Sequence, residues 1–201
     1  VARPTLANLL NIPGASSNQV SIVTTLPSLI WAIFDDRIHC DVIDFQLYEG
    51  SEIIVDLNEI LPTELCEKYD IVFDAGSLEH VFDIALALQN LAKAVTLGGY
   101  IYHSLPMTQL NHGFYNINPT LLYDFHQDNG FESRFLQGVF NRIIDGKQQQ
   151  TAFKIPFIDR FRVTQYGDVE TSLIYIAERT KIIEKFVKPI QRRYRVPSQW
   201  M

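Results

Sequence analysis

The densest group of chemically capable side chains in this 201-residue sequence is Asp74-Ala75-Gly76-Ser77, which closes an apolar run and leads into Leu78-Glu79-His80-Val81. Small residues there let a ligand approach the backbone closely, and the acid suits either binding an ammonium group or ordering the turn. His80, with an unperturbed pKa of about 6.5, is a candidate general base and equally a hydrogen-bonded structural histidine. Two further acids stand at the ends of short apolar runs. Asp44 sits where nucleotide-binding α/β folds use a carboxylate to accept bonds from two ribose hydroxyls; the plainer reading is a solvated acid. Asp56-Leu57-Asn58 offers a carboxylate and an amide that suit the edge of an adenine, and it reads as well as an ordinary turn. The histidines, His39, His80, His103, His112 and His126, show no ligand spacing such as His-x3-His, and Cys40 and Cys66 do not join them. No metal is expected.

Elements must hold these groups. Val20–Val23 is apolar and β-branched and predicts a first strand; Leu26–Phe34 predicts a short helix, with Pro27 tolerated in its first turn. Strands are predicted over Asp41–Phe45, Glu52–Val55 and Tyr69–Phe73. Ile84, Leu88, Leu91 and Val95 share one face of a helix predicted over Phe82–Val95, with Gly98-Gly99 as its stop and Tyr100–Leu105 as the next strand. A second helix opens on Asn118-Pro119, an N-cap followed by proline at the first helical position, and stops at Asn129-Gly130. Phe131–Phe140 and Ser172–Glu178 are the last predicted strands. Strands alternating with helices imply an α/β protein: a mostly parallel seven-stranded sheet, helices on both faces, and an antiparallel last strand.

Residues 1–18 read as a lead segment and 19–180 as one domain, with 141–171 inserted between the last two strands. The tail, 181–201, carries Lys181, Lys185, Lys188, Arg192, Arg193 and Arg195 and predicts a basic helix, a solvated face or a contact for a protein partner or a second copy. A net charge of −6 disfavours nucleic acid, because a phosphate-binding surface needs excess Lys and Arg. Val20–Phe34 is the most apolar stretch and too short to span a bilayer, so no membrane is expected. Without a leader pattern or a disulfide framework, the expectation is a cytoplasmic protein with two reduced thiols.

The run Tyr69-Asp70-Ile71-Val72-Phe73-Asp74-Ala75-Gly76-Ser77-Leu78-Glu79-His80-Val81-Phe82-Asp83 resembles the fourth-strand motif of class I S-adenosylmethionine-dependent methyltransferases. The match continues through Ala87-Leu88-Gln89-Asn90-Leu91-Ala92 to Leu97-Gly98-Gly99-Tyr100, which is similar to that family's helix-to-fifth-strand passage. Pro106, His112-Gly113-Phe114-Tyr115 and Asn118-Pro119 resemble one branch whose members often carry a His-Gly-Phe segment after strand 5. The likeness covers about residues 41–140, and the order and spacing of the motifs carry it.

The resemblance implies a Rossmann-like methyltransferase fold and S-adenosylmethionine as cofactor. It gives Asp44 the ribose, Asp56 and Leu57 the adenine, and Asp74, Ala75, Gly76 and Ser77 the methionine side. His112 as a catalytic residue, with Tyr115 and Asn111 as substrate-binding residues, falls where a small-molecule or sugar-like methyl acceptor is expected, Asn111 also giving the bend. An imidazole there suits removing a proton as the acceptor attacks the sulfonium methyl group. Phe114 is expected in the core. The departure lies in Val23-Thr24-Thr25-Leu26-Pro27-Ser28, which has no glycine where the family usually has a glycine-rich turn. Side chains there crowd a cofactor unless the loop takes another path, with the hydroxyls of Thr24 and Thr25 as substitute contacts. The rival expectation is therefore a non-catalytic protein of the same fold, acting as a binding or assembly module. A nicotinamide-dependent dehydrogenase ranks last, for want of a Gly-x-Gly-x-x-Gly turn.

Overall fold

The computed structural model describes residues 39–47, 51, 53–156 and 169–195. The predicted first strand and helix, Thr24 and Thr25, and the lead segment lie outside the described residues. The chain divides after Asp56 into two units. In the first, β1 (Ile43–Asp44) pairs in parallel with β2 (Ile53–Ile54), and the Val55 N–H donates to the Asp44 carbonyl at 2.8 Å. These are the paired centres of two predicted strands.

The second unit is built on β3 (Tyr69–Asp74), β4 (Val95–Pro106), β5 (Phe131–Ile144), β6 (Lys147–Lys154) and β7 (Glu170–Arg179). Their spatial order is β3-β4-β7-β5-β6. Only β3 and β4 run parallel; β7 is antiparallel to both β4 and β5, and β6 is antiparallel to β5. The expected mostly parallel, seven-stranded sheet is thus replaced, among the described residues, by a mixed five-stranded sheet and a separate parallel pair. The last strand is antiparallel, as expected. Part of the difference comes from a hairpin in the stretch read as an insertion. β5 continues to Ile144, turns at Asp145 (φ 51°) and Gly146 (φ 71°), and returns as β6. Two consecutive positive φ angles give the turn the twist that paired strands require.

Two helices complete this unit, α1 (Ile84–Ala94) and α2 (Pro119–Asp128). The Asp83 carboxylate caps α1 by accepting from the Leu86 N–H, and the Asn118 side chain caps α2 by accepting from the Thr120 N–H. Leu88 and Ala92 of α1 and Leu122 and Phe125 of α2 join one core with Ile101, Leu105, Leu173, Tyr175 and Ala177. Leu91 is half-buried against it. Both described helices therefore cover one face of the sheet, not two; on the other, Ile71, Phe73 and Tyr100 are exposed. Gly98-Gly99 does not stop α1. The helix ends at Ala94 and β4 starts at once, with residues 96–99 bulging opposite Asp70. Gly98 sits at φ 80°, and a Cβ on Gly99 would stand 2.9 Å from the Asp70 carbonyl oxygen, so the glycines serve the bulge.

The described part of the tail holds no α-helix, only a 3-10 turn at Arg192–Tyr194, and runs as a strap along α2. Phe186 stacks on Phe125 with centroids 6.0 Å apart, and Asn129 exchanges hydrogen bonds with the Val187 backbone at 2.7 and 3.0 Å. The Arg192 N–H donates to buried Asp124 at 3.0 Å, and the Arg195 guanidinium grips the Asp128 carboxylate. Of the tail's cations, Arg195 is thus committed to an acid of the same chain, and the Arg192 guanidinium meets the Tyr123 hydroxyl. Cys40 and Cys66 are free thiols, and no described helix is long and apolar enough to cross a membrane.

Candidate functional site

Because β3 and β4 are parallel, the segments that follow them leave the sheet at the same end. After β3 the chain turns through Ala75, Gly76 (φ 101°) and Ser77 into a 3-10 turn, Leu78–His80. Asp74 makes that turn. Its Oδ1 accepts from the N–H groups of Ser77 at 2.9 Å and Leu78 at 3.3 Å. Its Oδ2 meets His103 Nδ1 at 2.7 Å, and His103 Nε2 meets His126 Nε2 at 3.0 Å. All three side chains are buried. The Asp74 contact orients the His103 ring, and of the two facing Nε2 atoms of His103 and His126 one donates to the other. Burial, and next the neighbouring His103, hold the His126 pKa well below its ordinary value. Of the two roles open to Asp74, the carboxylate takes that of ordering the turn, and it faces inward. What residues 75–77 offer a ligand is backbone, with Ala75 and Ser77 exposed.

After β4 the chain forms a loop closed by Gln109 N–H to the Asn116 side chain at 2.7 Å and Ile117 N–H to the Pro106 carbonyl at 2.7 Å. Asn111 takes a positive φ of 59°, which provides the sharp bend. The loop folds onto Glu79. The N–H groups of Phe114 and Tyr115 donate to the Glu79 carbonyl at 2.7 and 3.2 Å, and the Tyr115 hydroxyl donates to the Phe82 carbonyl at 2.8 Å. Tyr115 is half-buried against the core. Phe114, expected in the core, is 66% exposed instead and packs edge-on against Phe82, 71% exposed, at 5.6 Å. The backbone bonds pin its peptide to Glu79 and leave the ring outside.

Three ionisable side chains meet there. His112 Nε2 lies 3.4 Å and His80 Nε2 3.9 Å from Glu79 Oε1, and the two rings are 5.0 Å apart. Glu79 is 1% exposed and its Oε2 has no hydrogen-bond partner. Burial, more than the nearby Asp74, pushes its pKa up. Oε1 would lie 3.3 Å from a Cβ placed on Gly76. The carboxylate thus links the segment after β3 to the segment after β4, with both imidazoles on its solvent side. An imidazole beside a carboxylate is equipped to take and hold a proton. The histidines show no ligand spacing along the sequence, but in three dimensions Glu79, His80 and His112 each present a donor atom within 4.8 Å of the others. Glu79, the centre of the group, is the residue sequence reasoning missed.

The remaining candidates are placed as follows. Asp44 ends β1 half-buried, its Oδ1 accepting from the Gln46 N–H at 3.2 Å. Asp56 is exposed after β2. Leu57, in the second unit, turns its side chain to the core rather than outward, and its carbonyl accepts from Asn90 Nδ2 at 3.2 Å. Asn90, fully buried in α1, also donates to the Glu59 carbonyl at 2.7 Å and accepts from the Leu61 N–H at 3.1 Å. One amide therefore fixes the loop 57–61.

No family model matches the sequence, and no curated protein does. Among the solved structures similar to it is a provisionally assigned methyltransferase of Bacillus halodurans C-125, at 11% identity, covering 77% of this chain and 86% of that one, with a TM-score of 0.42. A likeness that loose carries no argument about function.

Proposed function

We propose that the chain is an S-adenosylmethionine-dependent methyltransferase acting on a small-molecule or sugar-like acceptor. The observation that carries this is the convergence on Glu79 of the two segments that the sequence resemblance marks as cofactor side and acceptor side. The residues after β3 suit close approach by a cofactor's amino-acid portion, because Gly76 at φ 101° lets the exposed backbone of 75–77 bend there. The Asp74 carboxylate does not suit its ammonium group, having been spent on Ser77, Leu78 and His103. When bound, the cofactor supplies an activated methyl group on a sulfonium. The chain's own part is positional: Ala75, Gly76 and Ser77 line the methionine side, and the sequence resemblance gives Asp44 the ribose and Asp56 the adenine. On the acceptor side His112 receives the proton of the acceptor's hydroxyl or amine, and the exposed Phe82–Phe114 pair offers an apolar wall for a small ring.

Calorimetric titration of the chain with S-adenosylhomocysteine tests the reading. Saturable binding, weakened about ten- to hundredfold by Asp44→Ala, is expected, since a charged acceptor lost from two hydroxyls costs about 1.5–3 kcal/mol. The absence of binding at millimolar ligand would instead favour a non-catalytic module, the reading to which the glycine-free Thr24–Ser28 segment points.

A further inference from the structure

We infer that Glu79, His80 and His112 form a binding site for a divalent transition-metal ion of the zinc type. Two imidazole nitrogens and one carboxylate oxygen are a donor set that zinc accepts, leaving a position open for water or substrate. In a tetrahedral site with bonds of about 2.0–2.1 Å, ligand atoms stand about 3.3–3.4 Å apart. His112 Nε2 and Glu79 Oε1, at 3.4 Å, already have that spacing; His80 Nε2, at 3.9 Å from the same oxygen, must move closer, and the three donor atoms all lie within 4.8 Å of one another. The means for it are present. Glu79 is a buried anchor at 1% exposure, while the imidazoles are 48% and 46% exposed, which leaves them room to turn.

The anchor itself supplies the second line of argument. Oε2 of Glu79 is buried and unpartnered, and the ion pairs formed by this carboxylate, among the described residues, are those with the two histidines. A buried carboxylate so poorly matched is costly, and a divalent cation offsets that cost directly. The surrounding backbone is built to hold the anchor: Phe114 and Tyr115 bind its carbonyl, and Gly113 packs against it where no larger residue fits. Ligands from two chain segments are thereby brought into register before any ion arrives.

The two imidazoles and the Phe82–Phe114 pair are exposed. With the ion bound, His112 is a ligand and no longer the proton acceptor; the ion would take over that part by binding the acceptor's oxygen and lowering its pKa, so that the proton leaves to solvent. That role rests on the methyltransferase reading; the ion site does not.

Titration of zinc into the chelator-treated chain, by calorimetry, tests the site. One ion per chain is expected, with His80→Ala and His112→Ala each weakening binding by tenfold or more and the double variant abolishing it. Both histidines are on the surface, so these variants keep the fold, which far-ultraviolet circular dichroism checks. His39→Ala is expected to leave affinity unchanged. Cobalt(II) in place of zinc should give visible ligand-field bands without the sulfur charge-transfer band that Cys40 or Cys66 would add. Zinc binding that persists in the double variant, or no binding at millimolar ion, overturns the inference. If zinc binds through the histidines while S-adenosylhomocysteine does not bind, the ion site stands and the methyltransferase reading falls.

Discussion

Gly113 lies against Glu79 so closely that a Cβ at 113 would stand 2.6 Å from the Glu79 carbonyl oxygen and 3.0 Å from its Cγ. The loop after β4 reaches the turn after β3 only because that side chain is missing. Gly113→Ala is expected to destabilise the protein by about 1–3 kcal/mol, since backbone on both sides leaves little room to yield. Urea unfolding of wild type and variant measures the difference; no change would mean that the loop does not pack on Glu79.

Asn90 makes its three hydrogen bonds in a fully buried setting. Asn90→Ala strands the Leu61 N–H and two carbonyls, and a loss of at least about 2 kcal/mol is expected in the same unfolding measurement. A neutral outcome would show that loop 57–61 is held by other means.

His126 gives stability a defined pH dependence. In the folded protein it is packed among His103, Phe125, Phe131 and Tyr175, and its pKa is lowered. The unfolded chain takes up a proton at this residue near pH 6.5 and the folded chain does not. Its contribution is therefore complete above about pH 6.5 and is lost below it, by up to about 1.4 kcal/mol per pH unit. The stability difference between wild type and His126→Phe should shrink at that rate between pH 6.5 and 5. A difference independent of pH would contradict the buried neutral imidazole.

Local chemistry made part of this fold legible. Asn118-Pro119 and Asn129-Gly130 bracket α2 by capping rules that act over a few residues, and the apolar stripe containing Leu88 identified α1. The tail was misread because its Lys and Arg spacing suits a helix, while the acids that claim it, Asp124 and Asp128, lie far back in the chain. Asp145-Gly146 carries a hairpin signal, but the polar run Lys147–Gln150 shows no apolar alternation to mark a returning strand. At the site, Gly76 and His112 stood out by type. Their meeting through Glu79 did not, because an acid inside a turn reads as solvated until a loop 30-odd residues onward is folded over it.

The account's central claim is that the segments after β3 and β4 flank one methyl-transfer site. Backbone amide chemical shifts, followed as S-adenosylhomocysteine is added to the isotope-labelled chain, test it most directly. The account predicts saturating shifts at Ala75, Gly76 and Ser77, with smaller ones at His112 and Gly113 and none in the β5–β6 hairpin. Saturable binding that leaves residues 75–77 unmoved, or no shift anywhere at millimolar ligand, would contradict it.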